Sequence, residues 1–125
     1  MDEIVVKRIY EAPSPDDGLR ILVDRVWPRG VSREAAAIAA WDKDLAPSTG
    51  LRKWFGHDPA RFAEFRARYE AELRHQASAL EGLLAERRGR RLTLLYSARD
   101  TEHNQAVVLR EVLQRLAGAG RTRQP

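Results

Sequence analysis

The strongest constraint on the fold comes from residues 91–116, where a short apolar run and a helical apolar pattern are separated by a polar turn. The run from Leu92 to Tyr96 has the length and the apolar content of a buried strand, whereas the apolar residues within 107–116 recur at helical spacing. Between them lie the polar residues of the sequence SARDTEHN. Ligands of open α/β sheets bind where a strand ends and a helix begins, so this segment predicts a candidate site.

The preceding chain alternates strand and helix signals. Residues 4–6, continued by Ile9 and Tyr10, predict a first strand, and the branched apolar run 19–26 predicts a central strand buried on both faces. Ser32 can cap a first helix, while residues 38–45 fit either the end of that helix or a short extended segment. A helix capped by Ser48 or Thr49 should then end at residue 56.

A long amphipathic helix is predicted after that point. Asp58 and Pro59 have the residue types of an N-cap and a first helical position, and apolar side chains recur every three or four residues through 59–87. Gly82 is the expected place for any break in this helix, and Gly89 should end it.

The alternation of elements predicts an α/β fold, a small three-layer sandwich with a short, mostly parallel sheet flanked by helices. Residues 1–117 should form a single domain and residues 118–125 a flexible basic tail. The connection 12–18, rich in proline, aspartate and glycine, suits a hairpin as well as a crossover. The direction of the second strand relative to the first therefore stays open.

Composition excludes several classes of function. The chain has no cysteine, so disulfides, thiolate zinc sites and cysteine nucleophiles are excluded. No apolar run is long enough for a signal peptide or a membrane span, and we expect a cytoplasmic protein. The formal net charge of +4, half of it from Arg121 and Arg123, is too small to indicate nucleic-acid binding by itself. Neither a cofactor nor a metal site is predicted, because no glycine-rich phosphate loop and no close histidine pair occurs.

The SARD loop, residues 97–100, and the four residues after it supply the first set of candidate site residues. Arg99 is the expected contact for an anion, and Asp100 could act as an acid, a base or a helix cap, with Thr101 as the competing cap. His103 and Asn104 should fall in the first turn of the following helix, where a histidine could act as a base or a donor.

The WPRG loop, residues 27–30, supplies the second set. Arg25 and Arg29 flank Trp27, a combination that could clamp a phosphate or carboxylate while the indole stacks on a ring. Alternatively, Trp27 fills the edge of the core and Asp24 forms a structural ion pair with Arg25. If the strands that precede the two loops are adjacent and parallel, the loops share one edge of the sheet. His57 is one further candidate from a third polar cluster.

Four segments in order, LVDRVWPRGVS, WDKDLAPS, LRKWFGHDPARFAEFRARYEAEL and LTLLYSARDTEHNQAVVLREVL, resemble the bacterial family catalogued as domain of unknown function 488, in its short single-domain branch. The resemblance runs from about residue 6 to residue 116. It implies a small cytoplasmic bacterial α/β protein, and it supplies no catalytic residues to transfer.

The leading hypothesis is an enzyme or binding domain for a phosphorylated or nucleotide-like small molecule. Its site would bind substrate through Arg25, Trp27, Arg29, Arg99 and Asn104 and use Asp100 and His103 as acid and base. The alternative is a non-catalytic nucleic-acid-associated or regulatory protein whose arginines contact phosphates. A third hypothesis is an interaction module that dimerises through the long helix.

Overall fold

The sheet has four parallel strands in the order β1-β4-β2-β3 in a computed structural model that describes residues 3–122. The strands are β1 (Ile4–Arg8), β2 (Leu19–Leu22), β3 (Ala40–Trp41) and β4 (Leu92–Tyr96). β4 lies between β1 and β2 and pairs with both, so the first two strands run parallel without touching. The predicted α/β class is confirmed, and the ambiguous segment 38–45 contains an extended strand.

The described residues also form five α-helices, which alternate with the strands along the chain. They are α1 (Arg33–Ala36), α2 (Thr49–Phe55), α3 (Phe62–Leu73), α4 (Ala77–Glu86) and α5 (Gln105–Thr122). Ser32 and Ser48 cap α1 and α2 by accepting hydrogen bonds from the backbone three residues later, at 3.0 and 3.2 Å. Asp58 caps the 3-10 turn Pro59–Arg61 that leads into α3. None of the helices within residues 3–122 combines the length and apolar character needed to cross a membrane.

The prediction of one long helix over residues 59–87 was wrong. A 3-10 turn at Arg74–Gln76 separates α3 from α4, whereas Gly82 lies inside α4. The turn contains neither glycine nor proline, so local propensity does not explain it. α3 buries Phe65 and Leu73 and α4 buries Leu80 in one core, and the turn lets both helices reach that core.

The start of α5 also differs from the prediction. The helix begins at Gln105, so His103 and Asn104 precede it rather than forming its first turn. Asn104 provides the cap, because its Oδ1 accepts a hydrogen bond from the Val107 N–H at 3.1 Å. At the other end α5 continues to Thr122, into the segment predicted to be a tail, and residues 123–125 of that segment lie outside the described residues.

The two faces of the sheet are covered unequally. On one face, side chains from β2 and β4, such as Ile21 and Leu94, pack with those of α2, α3, α4 and α5 in the main core. The other face has a small apolar cluster of Leu22, Leu95 and their neighbours, covered by α1 and two half-buried tryptophans. Because strand side chains alternate between faces, β2, β3 and β4 each contribute to both cores.

A buried ionic network completes the second face. Asp17 accepts hydrogen bonds from Arg20 at 2.6 Å and from Lys7 at 3.0 Å, and Arg20 also donates to the carbonyls of Ala36 and Ala37 at the end of α1. The network therefore ties α1 to β1 and β2.

Candidate functional site

The candidate site is a cavity of about 90 Å³ at the edge of the sheet where β2 and β4 end. These two strands are adjacent and parallel, and the hydrogen bond from Val23 N–H to Leu95 O, 3.0 Å long, continues their pairing beyond β2. The carboxyl ends of β2 and β4 therefore lie side by side. Ligands of open α/β sheets usually bind at this edge of the sheet. The cavity is lined by Asp24, Arg25, Val26, Pro47, Arg52, Phe55, His57, Phe65, Ser97, Ala98 and Gln105.

Asp24 is the buried polar group of this cavity, with only 7% of its surface exposed. Its Oδ2 accepts a hydrogen bond from the Ser97 N–H at 3.1 Å, and its Oδ1 accepts one from the Gln105 side-chain amide. Burial raises the pKa of Asp24, although the hydrogen bonds from Ser97 and Gln105 oppose that effect. The carboxyl group is thus fixed by neutral donors, and it forms no ion pair with any side chain of residues 3–118.

Arg52 and His57 place positive or protonatable groups at the exposed part of the lining. The Arg52 side chain has no hydrogen-bond or ion-pair partner among residues 3–118, whose side chains the structure describes. His57 follows Gly56 at the end of α2, and both residues are in the left-handed backbone region, with φ of 58° and 53°. A residue with a side chain at such a φ is unfavourable by roughly 1–2 kcal/mol, so the backbone conformation of His57 is maintained at an energetic cost.

Arg25 lines the cavity, but its guanidinium group is already engaged. It donates to the carbonyl oxygens of Pro47 at 2.8 Å, Lys43 at 3.3 Å and Ala46 at 3.4 Å. The predicted alternative of an ion pair between Asp24 and Arg25 is wrong, because the two side chains bind different partners. Arg25 fastens the segment before α2 over the end of the sheet.

Trp27 and Arg29 are not among the described residues that line the cavity. Trp27 packs into the second-face cluster, where its Nε1–H donates to Val31 O at 2.7 Å and its ring lies 5.3 Å from that of Trp41. The Arg29 side chain is exposed, and its carbonyl accepts a hydrogen bond from Tyr10. Trp27 therefore fills the edge of the core, which was the alternative interpretation.

The SARD loop divides its residues between the cavity and an adjacent turn. Ser97 and Ala98 line the cavity, and Arg99 is exposed. Asp100 and His103, predicted to act as acid and base, are indeed together, with the His103 Nδ1 lying 2.9 Å from an Asp100 carboxylate oxygen. Neither of these two residues lines the cavity, nor does Asn104, whose side chain caps α5 and donates to Asp100 O.

Asp100 mainly organises its own turn. Its Oδ1 accepts hydrogen bonds from the backbone N–H groups of Glu102 at 2.9 Å and His103 at 3.0 Å, and these hydrogen bonds lower the pKa of Asp100. The His103 ring meets the Phe62 ring edge to face, 5.1 Å between centroids. Among the side chains described, those of residues 3–118, no nucleophilic one hydrogen-bonds this pair, so the described geometry provides an orienting group and a histidine.

The residues that line the cavity thus differ from the site residues predicted from the sequence. Of the predicted site residues only Arg25 lines the cavity, and His57, the further candidate, joins it. Gln105 and Arg52 were missed, because nothing in their local sequence distinguishes them from ordinary helix residues. Asp24 carried a signal, a charge at the end of a buried apolar run, which was interpreted as half of an ion pair. The described residues include no group of three or more histidine, aspartate or glutamate side chains suited to a metal ion.

A four-stranded parallel sheet with helices, and with a small, partly polar cavity at its carboxyl edge, defines a small α/β protein. The chain belongs to the domain of unknown function 488 family, as its four motifs indicated. The family model described as "Inactive DUF488-N3 subclade" matches residues 3–123.

Two curated relatives show the same similarity. The chain is 43% identical over 113 residues to "Uncharacterized protein YeaO" of Escherichia coli (strain K12), covering 90% of this chain and 98% of the relative. It is 42% identical over 109 residues to "Uncharacterized protein Rv3073c" of Mycobacterium tuberculosis (strain ATCC 25618 / H37Rv), covering 86% and 91%. No solved structure matches the chain significantly.

Proposed function

We propose that the protein binds a small molecule carrying a phosphate or similar anion in the cavity at the carboxyl ends of β2 and β4, without transforming it. The observation that carries the proposal is the composition of this cavity. A buried, hydrogen-bonded carboxyl group lies inside it. The guanidinium of Arg52, which has no partner among the described side chains of residues 3–118, lies at its exposed part together with His57. A free arginine beside a cavity is suited to a bidentate contact with phosphate.

The size of the cavity limits what can enter it. A cavity needs roughly 10–15 Å³ by the same measure to hold one water molecule, so about 90 Å³ accommodates several water-sized groups. That space is enough for a small polar fragment and not for a whole nucleotide. The anionic group of the ligand would therefore stay near Arg52 while a neutral part enters the cavity.

Binding without catalysis is supported by two observations. The description of the matching family model calls the subclade inactive. The acid and base pair expected from the sequence, Asp100 and His103, forms a local turn and does not line the cavity. Asp24 is the carboxyl group available to a ligand there, and both its oxygens already accept hydrogen bonds. A cytoplasmic site of action stays a prediction.

Isothermal titration calorimetry of the whole chain with inorganic phosphate and ribose 5-phosphate tests the proposal. Loss of the Arg52 guanidinium in Arg52→Ala removes charge-assisted hydrogen bonds of about 1.5–3 kcal/mol, so affinity should fall roughly 10- to 150-fold. Arg88→Ala is the matched control, because Arg88 is exposed and does not line the cavity. Its affinity should stay within about twofold of the parent.

Arg99→Ala separates this proposal from the site expected from sequence. Arg99 is exposed and does not line the cavity, so its replacement should leave phosphate affinity within about twofold. Equal binding by the parent and Arg52→Ala would contradict the proposal. Binding of an oligonucleotide with a steep salt dependence, but of neither small phosphate, would favour the nucleic-acid alternative instead.

A further inference from the structure

Asp24 presents unused acceptor capacity to the cavity. An ionised carboxylate has about four lone-pair sites, and Ser97 and Gln105 each donate to one oxygen of Asp24. The Ser97 side chain also hydrogen-bonds this carboxyl group and lowers its pKa, so about one site is left for another donor. A bound molecule that supplies this donor would add a hydrogen bond to a deeply buried carboxyl group and be stabilised here.

The rest of the cavity wall specifies what kind of donor fits. Much of it is apolar, and the rings of Phe55 and Phe65 stack 4.2 Å apart within it. A ligand part that enters must therefore present hydrogen-bond donors on one edge and C–H groups on its faces. A sugar ring has this distribution, with hydroxyl groups at its edge and apolar C–H groups on its faces.

The charges around the cavity argue for neutral donors rather than an ammonium group. Arg25 and Arg52 both line the cavity, and His57 adds a protonatable ring. A cationic ligand would have to enter beside these groups, and like charges repel strongly where water is partly excluded. Hydroxyl groups have no such penalty and can donate to a carboxylate.

We propose that the ligand is a phosphorylated sugar, one hydroxyl group of which donates a hydrogen bond to the Asp24 carboxyl group, with the phosphate held at Arg52. This inference rests on the proposed function and specifies the ligand class for the same cavity. Asp24 then determines specificity, and Gln105 is a positioning residue that holds the Asp24 carboxylate toward the ligand.

Calorimetry with three ligands tests the inference on the parent chain alone. Ribose 5-phosphate should bind at least about tenfold more tightly than 2-deoxyribose 5-phosphate, since one hydrogen bond to a charged acceptor is lost. Phosphoethanolamine, which offers an ammonium group in place of hydroxyls, should bind no better than inorganic phosphate. Equal affinity for the two sugar phosphates, or a preference for phosphoethanolamine, overturns the inference and leaves the proposed function standing. Absence of binding by every phosphate overturns both.

Two variants test whether Asp24 and Gln105 cause the preference for ribose 5-phosphate over 2-deoxyribose 5-phosphate. Asp24→Asn keeps the side-chain shape and should reduce the preference for ribose 5-phosphate over 2-deoxyribose 5-phosphate to about twofold or less. Gln105→Met removes the amide that donates to Asp24 and should lower the preference severalfold. Amide proton spectra of each variant confirm the native fold. A full preference for ribose 5-phosphate in folded Asp24→Asn would refute the role of the carboxylate.

Discussion

The ionic network around Asp17 makes a sharp prediction for stability. Asp17 is 6% exposed and Arg20 is also 6% exposed, and a hydrogen bond of 2.6 Å joins them. The same carboxylate accepts from Lys7 and from the Ser14 N–H at 3.0 Å each. Replacing Asp17 by alanine therefore leaves Arg20 buried without its anionic partner, the kind of change that is strongly destabilising.

The magnitude follows from which partners can relax. Breaking a buried ion pair by removing one partner costs about 3–5 kcal/mol. Lys7 is half-buried at 17% side-chain exposure and can turn to water, and Arg20 keeps its bonds to the carbonyls of Ala36 and Ala37. We therefore expect Asp17→Ala to lower the free energy of unfolding by about 3 kcal/mol, the lower end of that range. For a chain of this length that corresponds to a melting temperature about 10–15 °C lower.

Urea denaturation followed by circular dichroism measures this difference, with Asp16→Ala as the matched control. Asp16 is the exposed neighbour and should change the free energy of unfolding by less than about 0.5 kcal/mol. An Asp17→Ala variant within about 1 kcal/mol of the parent at neutral pH would refute the argument, because it would mean that Arg20 does not depend on the carboxylate.

The pH dependence provides a second check on the same network. Burial by itself would raise the pKa of Asp17, but hydrogen bonds from Ser14, Lys7 and Arg20 outweigh it and lower the pKa. A lowered pKa means that this stabilisation is present above the ordinary aspartate pKa of about 3.9 and is lost as the pH falls through the folded-state value. The stability difference between parent and Asp17→Ala should therefore narrow in acid.

Two further predictions concern two glycines and the cap of α5. Gly18→Ala should lower the free energy of unfolding by about 2 kcal/mol or more, since φ is 64° and a Cβ would lie 2.2 Å from the Arg91 carbonyl oxygen. Gly82→Ala lies inside α4 with open space around it and should raise the free energy of unfolding by about 0.5–1 kcal/mol. Similar stability of these two variants would contradict the close approach at Gly18. Asn104→Ala should lower the free energy of unfolding by about 1 kcal/mol, because the cap of α5 is lost, whereas Thr101→Ala should change it little. A larger loss for Thr101→Ala than for Asn104→Ala would assign the cap to Thr101.

Local chemistry predicted the elements well where near neighbours decide the structure. The caps at Ser32, Ser48 and Asp58 formed because each side chain lies within reach of the next turn's free N–H groups. The strand Leu92–Tyr96 coincides with its apolar run. The second strand is shorter than the run 19–26, because the chain leaves the regular pairing near Asp24.

Local chemistry failed where packing or competition between neighbours decides. Nothing in the residues at 74–76 signals a break, and the turn there follows from how α3 and α4 share one core. Asp100, Thr101 and Asn104 are all capable caps for α5. Asp100 instead bonds the backbone of its own turn, and Asn104 is left at the helix start.

By itself the sequence determined that the chain forms an α/β protein with a mostly parallel sheet and polar residues after two central strands, because burial and capping depend on residues close along the chain. The tertiary structure showed that the first two strands run parallel. The tertiary structure alone decided which polar residues share a cavity. Asp24 and Gln105 are 81 positions apart and meet because β4 lies beside β2. Trp27, three residues after Asp24, packs in the cluster on the second face of the sheet. Side-chain direction and strand order set these contacts, and neither is encoded in local spacing.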